Sequence, residues 1–334
     1  WHDTLGKSFT FGEMAVAGLA LRRVLQRTLD DRPYIGLALP ASVGGCLANY
    51  AVALLGRVPV NLNISAGGEA ISSMIEQIEC TTVVTAKPIY EKLDGITWPK
   101  NVLFLEDLLS TIGNADKIAG FVVGRLLPVR WVVSRRGFDP KQVFAVLFSS
   151  GSTGRPKGIM LSHYNLFSNI EAVSMLFPPE EGDRICGSLP FFHSFGLTFT
   201  LWLPFLLGVP VSYHVNPMET GKTARLIRDR QCTLLFTTPT LMSRILQKAD
   251  TESLCSLRHC LVGAEKLTPG LARKFEEKFG VQPLEGYGAT ELSPLVAVNV
   301  PDLKTVGGIQ IGNKPGTVGH PIPGVAVKIV NPES

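Results

Sequence analysis

Ser149-Ser150-Gly151-Ser152-Thr153-Gly154-Arg155-Pro156-Lys157-Gly158 directly follows an apolar run, Val143 to Phe148, which predicts a buried strand. Glycines let backbone N–H groups approach an anion closely, serine and threonine hydroxyls donate hydrogen bonds, and a lysine supplies a point charge. The stretch therefore predicts a loop that binds the phosphates of a nucleotide. Its candidate binding residues are Ser149, Ser150, Gly151, Ser152, Thr153, Gly154 and Lys157.

This loop differs from the Walker loop of P-loop NTPases. A Walker loop needs Gly-Lys-Ser/Thr at the start of a helix, whereas here Pro156 precedes the lysine and Gly158 follows it. The sequence therefore disfavours a P-loop NTPase. An ordinary turn rich in glycine and serine is the structural alternative.

Around this loop, apolar strand patterns alternate with helical patterns, which predicts an α/β fold with parallel sheets covered on both faces. After Val306 the pattern changes to short strands punctuated by glycine and proline, which predicts a small antiparallel unit. We expect two interleaved α/β subdomains over residues 1–300 and the start of a small β-barrel over residues 301–334. The predicted strands are Ser8–Phe11, Tyr34–Leu39, Thr82–Thr85, Val143–Phe148, Cys232–Phe236, His259–Val262 and Val325–Val330, and the predicted helices include Gly45–Leu55 and Pro269–Phe279.

Composition excludes several classes of protein. The 334 residues are 45% hydrophobic and 18% charged, which argues against disorder. A net charge of +4 without a dense basic stripe argues against a nucleic-acid partner. The six cysteines form no CxxC pair, so they predict neither a zinc site nor a redox motif, but reduced thiols in a cytoplasmic protein.

Two segments bear on membrane contact. Between Arg184 and Glu219 there is no charged residue apart from two histidines that can become charged, but internal glycines and prolines favour buried structure over a membrane span. Residues 117–136 mix apolar side chains with Trp131 and several arginines, a pattern typical of helices that lie on anionic membranes. A surface helix with an inward apolar stripe is the alternative.

Four motifs, in the same order along the chain, resemble those of the adenylate-forming superfamily, which comprises acyl- and aryl-CoA synthetases, peptide-synthetase adenylation domains and luciferases. The resemblance covers essentially the whole chain. The motifs are the loop Ser149–Gly158, the turn Gly263-Ala264-Glu265, the signature Gly286-Tyr287-Gly288-Ala289-Thr290-Glu291 and the segment Pro315–Gly324.

The resemblance implies ATP and Mg²⁺ as cofactors and assigns roles to the matching residues. Thr290 would donate a hydrogen bond to a phosphate, and Glu291 would help to hold Mg²⁺, which prefers oxygen ligands. Tyr287, between Gly286 and Gly288, would pack against adenine, which the turn Gly263–Glu265 would also contact. Lys157 and the loop hydroxyls would bind the outer phosphates.

The acid to be activated is predicted from Pro190-Phe191-Phe192-His193-Ser194-Phe195-Gly196, which resembles the family's segment beside the acyl pocket. His193 would sit near the carboxylate; a hydrogen-bonded core histidine is the alternative. The apolar residues after it, and Thr237–Met242, would line a pocket in which each buried methylene contributes about 0.8 kcal/mol, favouring a fatty acid. Peptide-synthetase domains usually carry an aspartate at the start of this segment, and its absence here disfavours an amino acid.

Within the superfamily, the stretches Gly56–Asn63, Phe104–Leu108 and Gly286–Asn299 most resemble the bacterial acyl-acyl carrier protein synthetase that is fused to a lysophospholipid acyltransferase. This resemblance implies a fatty acid activated to acyl-AMP and then transferred to acyl carrier protein, at the cytoplasmic face of the inner membrane. The alternatives are a long-chain acyl-CoA ligase, a nucleotide-binding module without turnover, and an interaction scaffold. The family's mobile C-terminal domain is expected to be missing from this chain, which would then have little activity.

Overall fold

The computed structural model describes residues 1–127, 139–149, 155–306 and 308–331. Within them, two β-sheets with flanking helices form an α/β fold, as the sequence predicts. The loop residues Ser150, Gly151, Ser152, Thr153 and Gly154 lie outside the described residues, and so does the part of the predicted membrane segment that contains Arg130, Trp131, Arg135 and Arg136.

A six-stranded sheet has the order β5-β4-β2-β3-β6-β7. Its strands pair in parallel except for β6 and β7, which pair antiparallel across the predicted phosphate loop. The strands are β2 (Tyr34–Ala38), β3 (Val58–Asn61), β4 (Thr82–Thr85), β5 (Asn101–Phe104), β6 (Val143–Ser149) and β7 (Lys157–Ser162).

An eight-stranded sheet has the order β1-β9-β8-β10-β11-β12-β13-β16. Pairing is parallel from β1 to β12 and antiparallel for β13 and β16, so both sheets are mixed rather than wholly parallel. The strands are β1 (His2–Asp3), β8 (Ile185–Gly187), β9 (Val211–Tyr213), β10 (Leu234–Thr237), β11 (His259–Val262), β12 (Pro283–Gly288), β13 (Leu295–Val298) and β16 (His320–Pro321).

The helices begin at residues that cap them. Thr10 and Glu13 form a capping box at the start of α1, and Ser162 and Asn165 form another at the start of α7. The described α-helices are α1 (Phe11–Thr28), α2 (Val43–Leu54), α3 (Gly68–Gln77), α4 (Lys87–Tyr90), α5 (Leu105–Ser110), α6 (Asn114–Phe121), α7 (His163–Leu176), α8 (Ser194–Gly196), α9 (Leu203–Leu207), α10 (Thr220–Arg230), α11 (Pro239–Lys248) and α12 (Pro269–Phe279).

The two sheets share one hydrophobic core. Leu37 and Leu147 of the six-stranded sheet belong to the same buried cluster as Ile185 and Phe236 of the eight-stranded sheet, together with most of α2. Separate clusters lie under α10 to α12 and under α3. Five of the six free cysteines are buried, and burial raises the pKa of the Cys260 thiol to about 12, as expected of unreactive structural thiols.

Three predictions about local structure need correction or comment. The strand predicted at Ser8–Phe11 is wrong, because Thr10 caps α1 and only Ser8 makes a β-bridge, to His2. Val325–Val330 forms no strand, and no described strand pairs with it. The uncharged stretch before Glu219 is divided between strands and short helices, and among the described residues no helix is both long and apolar enough to cross a membrane.

The antiparallel unit predicted after Val306 is formed in part. Strands β14 (Leu303–Thr305) and β15 (Gly308–Gln310) pair antiparallel as a hairpin. Strand β16 instead pairs with β13 and extends the eight-stranded sheet. The boundary at residue 300 and the assignment of residues 301–334 to a small β-barrel stay predictions.

Candidate active site

A cavity of about 390 Å³ opens at the carboxyl ends of strands β10, β11 and β12. This is the edge of a parallel sheet at which ligands usually bind. The cavity brings together residues from three of the predicted motifs, which are far apart in the sequence. The predicted site residues that line it are His193, Gly263, Ala264, Glu265, Gly286, Gly288 and Thr290.

The turn Gly263–Glu265 follows the last residue of β11 and is held from two sides. The Gly263 backbone N–H donates to the Thr237 carbonyl at 3.1 Å. The Glu265 carboxylate accepts hydrogen bonds from the Thr240 hydroxyl at 2.6 Å and the Thr240 backbone N–H at 3.3 Å. Ala264 has a φ of 71°, in the left-handed region that non-glycine residues rarely adopt. The turn is therefore strained and fixed to the start of α11.

Strand β12 presents its glycines to the cavity. A Cβ atom at Gly288 would lie 2.1 Å from the Pro294 carbonyl oxygen, so a larger residue cannot occupy this position without moving the backbone. Tyr287, between the two glycines, is 54% exposed and does not line the cavity. Its predicted packing against adenine stays a prediction.

The ends of the phosphate loop approach the turn that follows β12. Ser149, the last residue of β6, pairs with Lys157, the first residue of β7, and β7 contacts the turn Thr290–Leu292. The side chains of Lys157 and Glu291 are exposed outside the cavity wall. Both lie where β7 meets this turn, and their assignment to the outer phosphates and the metal stays a prediction.

His193 lies at the cavity mouth, where its ring packs 4.6 Å from the ring of Phe192. Desolvation by the surrounding protein lowers the pKa of its imidazole from 6.5, which favours the neutral form at neutral pH. A neutral imidazole can accept or donate a hydrogen bond without adding charge. The residue can therefore orient a carboxylate without forming a fixed ion pair with it.

Fewer of the predicted apolar residues line the cavity than the sequence predicts. Of the predicted pocket residues after Gly196, Phe199 lines the cavity, and Thr238 does so from the second segment. The Phe199 ring stacks on Phe236 at 5.3 Å between centroids. The other predicted residues point elsewhere because only one side of a helix can face a cavity: Leu197, Leu201, Trp202 and Leu203 are buried in the core, and Phe205 is 42% exposed.

The residues present fit a metal ion whose ligands come mostly from the nucleotide and from water, and only in small part from the protein. No group of three or more potential metal-ligating side chains occurs in the part of the chain that the structure describes. Mg²⁺ is commonly bound through one or two carboxylates together with substrate phosphates and water. The lone carboxylate of Glu291 matches such a site, and Mg²⁺ there stays a prediction.

Sequence reasoning missed polar residues behind the cavity, above all Asn169. Its side chain is 6% exposed and hydrogen-bonds the backbone of Leu295, which lines the cavity. The sequence carries a signal for it, since Asn169 falls on the buried face of α7 beside Leu166, Ile170 and Val173. A polar residue at a core position needs a buried partner.

A second cavity, of about 430 Å³, lies on the other face of β12, where Pro283 and Glu285 line it. Pro315, Gly316 and Thr317 of the fourth motif line it, but no residue predicted to bind nucleotide, metal or acid does. The Glu285 carboxylate accepts a hydrogen bond from the Leu267 backbone N–H at 2.9 Å. The site that the sequence predicts is therefore the cavity at the strand ends.

Comparison with known proteins shows the family of the chain. The family model of AMP-binding enzymes matches residues 2–334. A long-chain-fatty-acid–CoA ligase of Bacillus subtilis is 26% identical over 98% of this chain and 62% of its own length. The acyl-CoA ligase SID4 of Ajellomyces capsulatus is 32% identical over 64% of this chain and 36% of its own length.

Solved structures share the fold. The anthranilate CoA ligase AuaEII in complex with anthranoyl-AMP superposes with a TM-score of 0.82 at 19% identity, covering 99% of this chain and 62% of that protein. ATP-bound MatB from Rhodopseudomonas palustris superposes with a TM-score of 0.78 at 23% identity, covering 100% of this chain and 63% of that protein. This chain thus spans less than two thirds of the length of these relatives.

Proposed function

The chain belongs to the AMP-binding enzymes, and on that premise we propose that it binds ATP and activates a fatty acid as acyl-AMP. The observation that carries the proposal is the cavity at the strand ends, which gathers residues of the adenine turn, the Tyr-Gly signature and the aromatic/His segment. The B. subtilis relative is named a long-chain-fatty-acid–CoA ligase, which supports the same class of acid.

The proposed reaction has two steps. A carboxylate oxygen forms a bond to the α-phosphorus of ATP, and the bond from that phosphorus to the bridging oxygen breaks, releasing pyrophosphate. A thiol sulfur then forms a bond to the acyl carbon, and AMP leaves. The protein contributes positioning and stabilisation of negative charge, a role that we assign to Thr290 and Lys157 at the nucleotide and to His193 at the acid. Mg²⁺, when bound, would neutralise part of the phosphate charge.

The lining of the cavity supports a fatty acid over an amino acid. An ammonium group needs a buried acidic partner. Among the described lining residues the only carboxylate is Glu265, and the Thr240 hydroxyl and backbone already occupy one of its oxygens. Phe195, Phe199 and leucines supply an apolar wall instead, along which a methylene chain can lie.

The acceptor thiol has two candidates. We propose acyl carrier protein on the resemblance to the fused bacterial synthetase, with CoA as the alternative. The two similar proteins from Bacillus subtilis and Ajellomyces capsulatus are named CoA ligases, which supports the alternative. Assay of the natural protein with palmitate and ATP, with carrier protein or CoA as acceptor, decides between them by the thioester that forms.

Nucleotide and acid binding by this chain test the activation step itself. We expect calorimetry to detect binding of MgATP. We expect a separate assay of the natural protein to detect release of pyrophosphate that depends on the acid. Binding of MgATP without pyrophosphate release would reduce the proposal to a nucleotide-binding module. Absence of nucleotide binding would leave only an interaction scaffold and would overturn the proposal.

We also propose that the segment 117–136 contacts the cytoplasmic, anionic surface of a membrane. In its described part, α6 packs on α1 through Gly120, where a Cβ atom would lie 2.7 Å from the Val16 carbonyl oxygen. Its acidic Asp116 is engaged by Arg27 at 2.8 Å. The outward side chains are apolar or cationic: Ile118, Phe121 and Leu126 are 63%, 52% and 65% exposed, beside exposed Lys117 and Arg125.

A further inference from the structure

The turn between β12 and β13 adopts a conformation that its own sequence does not favour. This turn, Thr290–Pro294, carries the two residues assigned to phosphate and metal. Ser293 has a φ of 74°, in the left-handed region, and is 4% exposed. A non-glycine residue in this region persists only where its surroundings hold it, and such residues concentrate at functional sites.

Asn169 on α7 holds the far end of this turn. Its side-chain amide donates to the Leu295 carbonyl at 2.8 Å, and its side-chain oxygen accepts from the Leu295 backbone N–H at 3.3 Å. The same amide also lies 3.5 Å from the Leu292 carbonyl. One buried side chain thus pairs with both backbone groups of the residue that begins β13, as a neighbouring strand would.

Thr198 holds the middle of the turn. Its hydroxyl, which is fully buried, donates to the Ser293 carbonyl at 3.3 Å. Ser194, one helical turn earlier, places its hydroxyl 3.4 Å from the Thr290 hydroxyl. Both residues belong to the helical segment whose Phe195 and Phe199 line the cavity, so one segment contacts the acid side of the site and the nucleotide turn.

We propose that Asn169 and Thr198 are positioning residues that hold the Thr290–Pro294 turn in the conformation that directs Thr290 and Glu291 towards the phosphates and metal of MgATP. This inference rests on the proposed function, because it assigns the turn a nucleotide to meet. Neither side chain lines the cavity, so each acts through the backbone of the turn rather than by contact with ligand.

Thr200 provides a matched control. It is also fully buried, two residues along the same segment, but its hydroxyl donates to the Gly196 carbonyl at 2.8 Å within its own helix. Thr198→Val and Thr200→Val remove the same atom, keep nearly the same shape, and differ in whether the turn loses a hydrogen bond.

The experiment measures melting temperature and the dissociation constants of MgATP and AMP for the wild type, Thr198→Val, Thr198→Ser, Thr200→Val and Asn169→Leu. We expect Thr198→Val to weaken MgATP binding about three- to tenfold, the range for loss of one hydrogen bond, and Asn169→Leu, which removes two, to weaken it at least as much. AMP binding should change less, because AMP lacks the outer phosphates and the metal. Thr198→Ser should restore wild-type affinity, and Thr200→Val should alter only the melting temperature.

Equal changes in MgATP and AMP affinity, or an effect of Thr200→Val as large as that of Thr198→Val, would overturn the inference. If one of the variants Thr198→Val and Asn169→Leu does not fold, the MgATP and AMP affinities of the other variant test the inference. Thr290→Val separates this inference from the proposed function. If the wild type shows no phosphate-dependent binding, or if Thr290→Val does not weaken MgATP binding, the proposed function fails. If Thr290→Val weakens MgATP and the Thr198 and Asn169 variants do not, only the positioning role fails.

Discussion

The carboxylate of Glu265 accepts a hydrogen bond of 2.6 Å from the hydroxyl of Thr240, 25 residues earlier in the chain. The same oxygen accepts the Thr240 backbone N–H near the start of helix α11, whose first N–H groups have no partner within the helix. Glu265 thus acts as a cap for a helix to which it does not belong. The turn that contains Ala264 and lines the cavity is held by the N-terminal end of that helix.

Removal of this cap should affect both ends of the contact. We expect Glu265→Ala to lower the free energy of unfolding by about 0.5–2 kcal/mol, the range for a lost N-cap. ATP and AMP should bind more weakly by equal factors, because the turn is assigned to the adenine that both contain. Glu265→Gln, which keeps an acceptor oxygen, should lose less stability and less affinity.

Glu277→Ala is the control, since its surface ion pair with Arg273 at 3.6 Å should contribute little. Denaturant titration and calorimetry measure these effects, and a stability loss without a loss of affinity would contradict the role of the turn.

The backbone conformation of Ala264 should also affect stability and nucleotide binding. Its φ of 71° costs an L-residue on the order of 1–2 kcal/mol relative to the right-handed regions. Ala264→Gly should retain the melting temperature and nucleotide affinity, whereas Ala264→Val should lower both, since a β-branched residue is least compatible with positive φ. Thermal denaturation with and without AMP tests this pair. Equal behaviour of the two variants would show that the backbone at this position is not constrained.

Lys157 and Glu291 should distinguish MgATP from AMP. Both are assigned to the outer phosphates or the metal, so Lys157→Ala and Glu291→Ala should each cost about 1.5–3 kcal/mol of MgATP binding, as expected for a charge-assisted contact. AMP binding should change little. Lys141→Ala, at another exposed lysine just before β6, is the control. Calorimetric titration of both nucleotides decides, and equal losses for AMP and MgATP would show that the assigned roles are wrong.

Stability should fall on mild acidification because of the histidines. Desolvation lowers the pKa of five imidazoles from the ordinary value of 6.5, those of His2, His163, His193, His214 and His259. At a given pH below 6.5, the unfolded chain therefore binds more protons at these histidines than the folded chain does. The free energy of unfolding is unaffected by these histidines well above pH 6.5, and it decreases as the pH falls from 6.5 towards the folded pKa values. We expect the melting temperature to fall between about pH 6.5 and 5.

His259 offers a check on this pH dependence. Besides desolvation, Arg258 lowers its pKa, while Asp183 and Glu180 act in the opposite direction. Its ring packs edge-on against Phe177 at 5.3 Å, so His259→Phe keeps an aromatic ring and removes the titration. The variant should show a shallower loss of melting temperature below pH 6.5. A wild-type melting temperature that rises on acidification to pH 5 would contradict the prediction.

Membrane contact should depend on the exposed side chains of residues 117–126. Replacement of Phe121 by serine removes an exposed apolar ring, and Lys117→Gln with Arg125→Gln removes two cations that are each worth about 1 kcal/mol at an anionic surface. Both changes should reduce co-sedimentation with anionic vesicles, and wild-type protein should not sediment with neutral ones. Met175→Ser is the control, because Met175 is 62% exposed on α7. Vesicle binding that survives all the replacements would exclude this face.

Much of the fold follows from local patterns. The strand at Val143–Phe148 and the helix Pro269–Phe279 could be predicted because their apolar patterns and end residues are continuous in sequence, with Pro269 at the helix start and Gly280 in a left-handed conformation after its end. The capping box of Thr10 and Glu13 is an equally local signal, and it starts α1 where the pattern of Ser8–Phe11 alone predicts a strand. Val325–Val330 has a strand pattern but no described partner, and pairing is not a local property.

The sequence by itself determined the α/β class, the order of the motifs and seven residues that line the cavity, because composition, periodicity and short motifs act over a few neighbouring residues. Only the tertiary structure decided which of the predicted pocket residues line the cavity, namely Phe199 and Thr238, that Trp202 is buried behind it and that Lys157 stands outside its wall. It also decided which side chains hold the turn. Asn169 and Leu295 are 126 residues apart, and their hydrogen bonds form only when both sheets pack around one core.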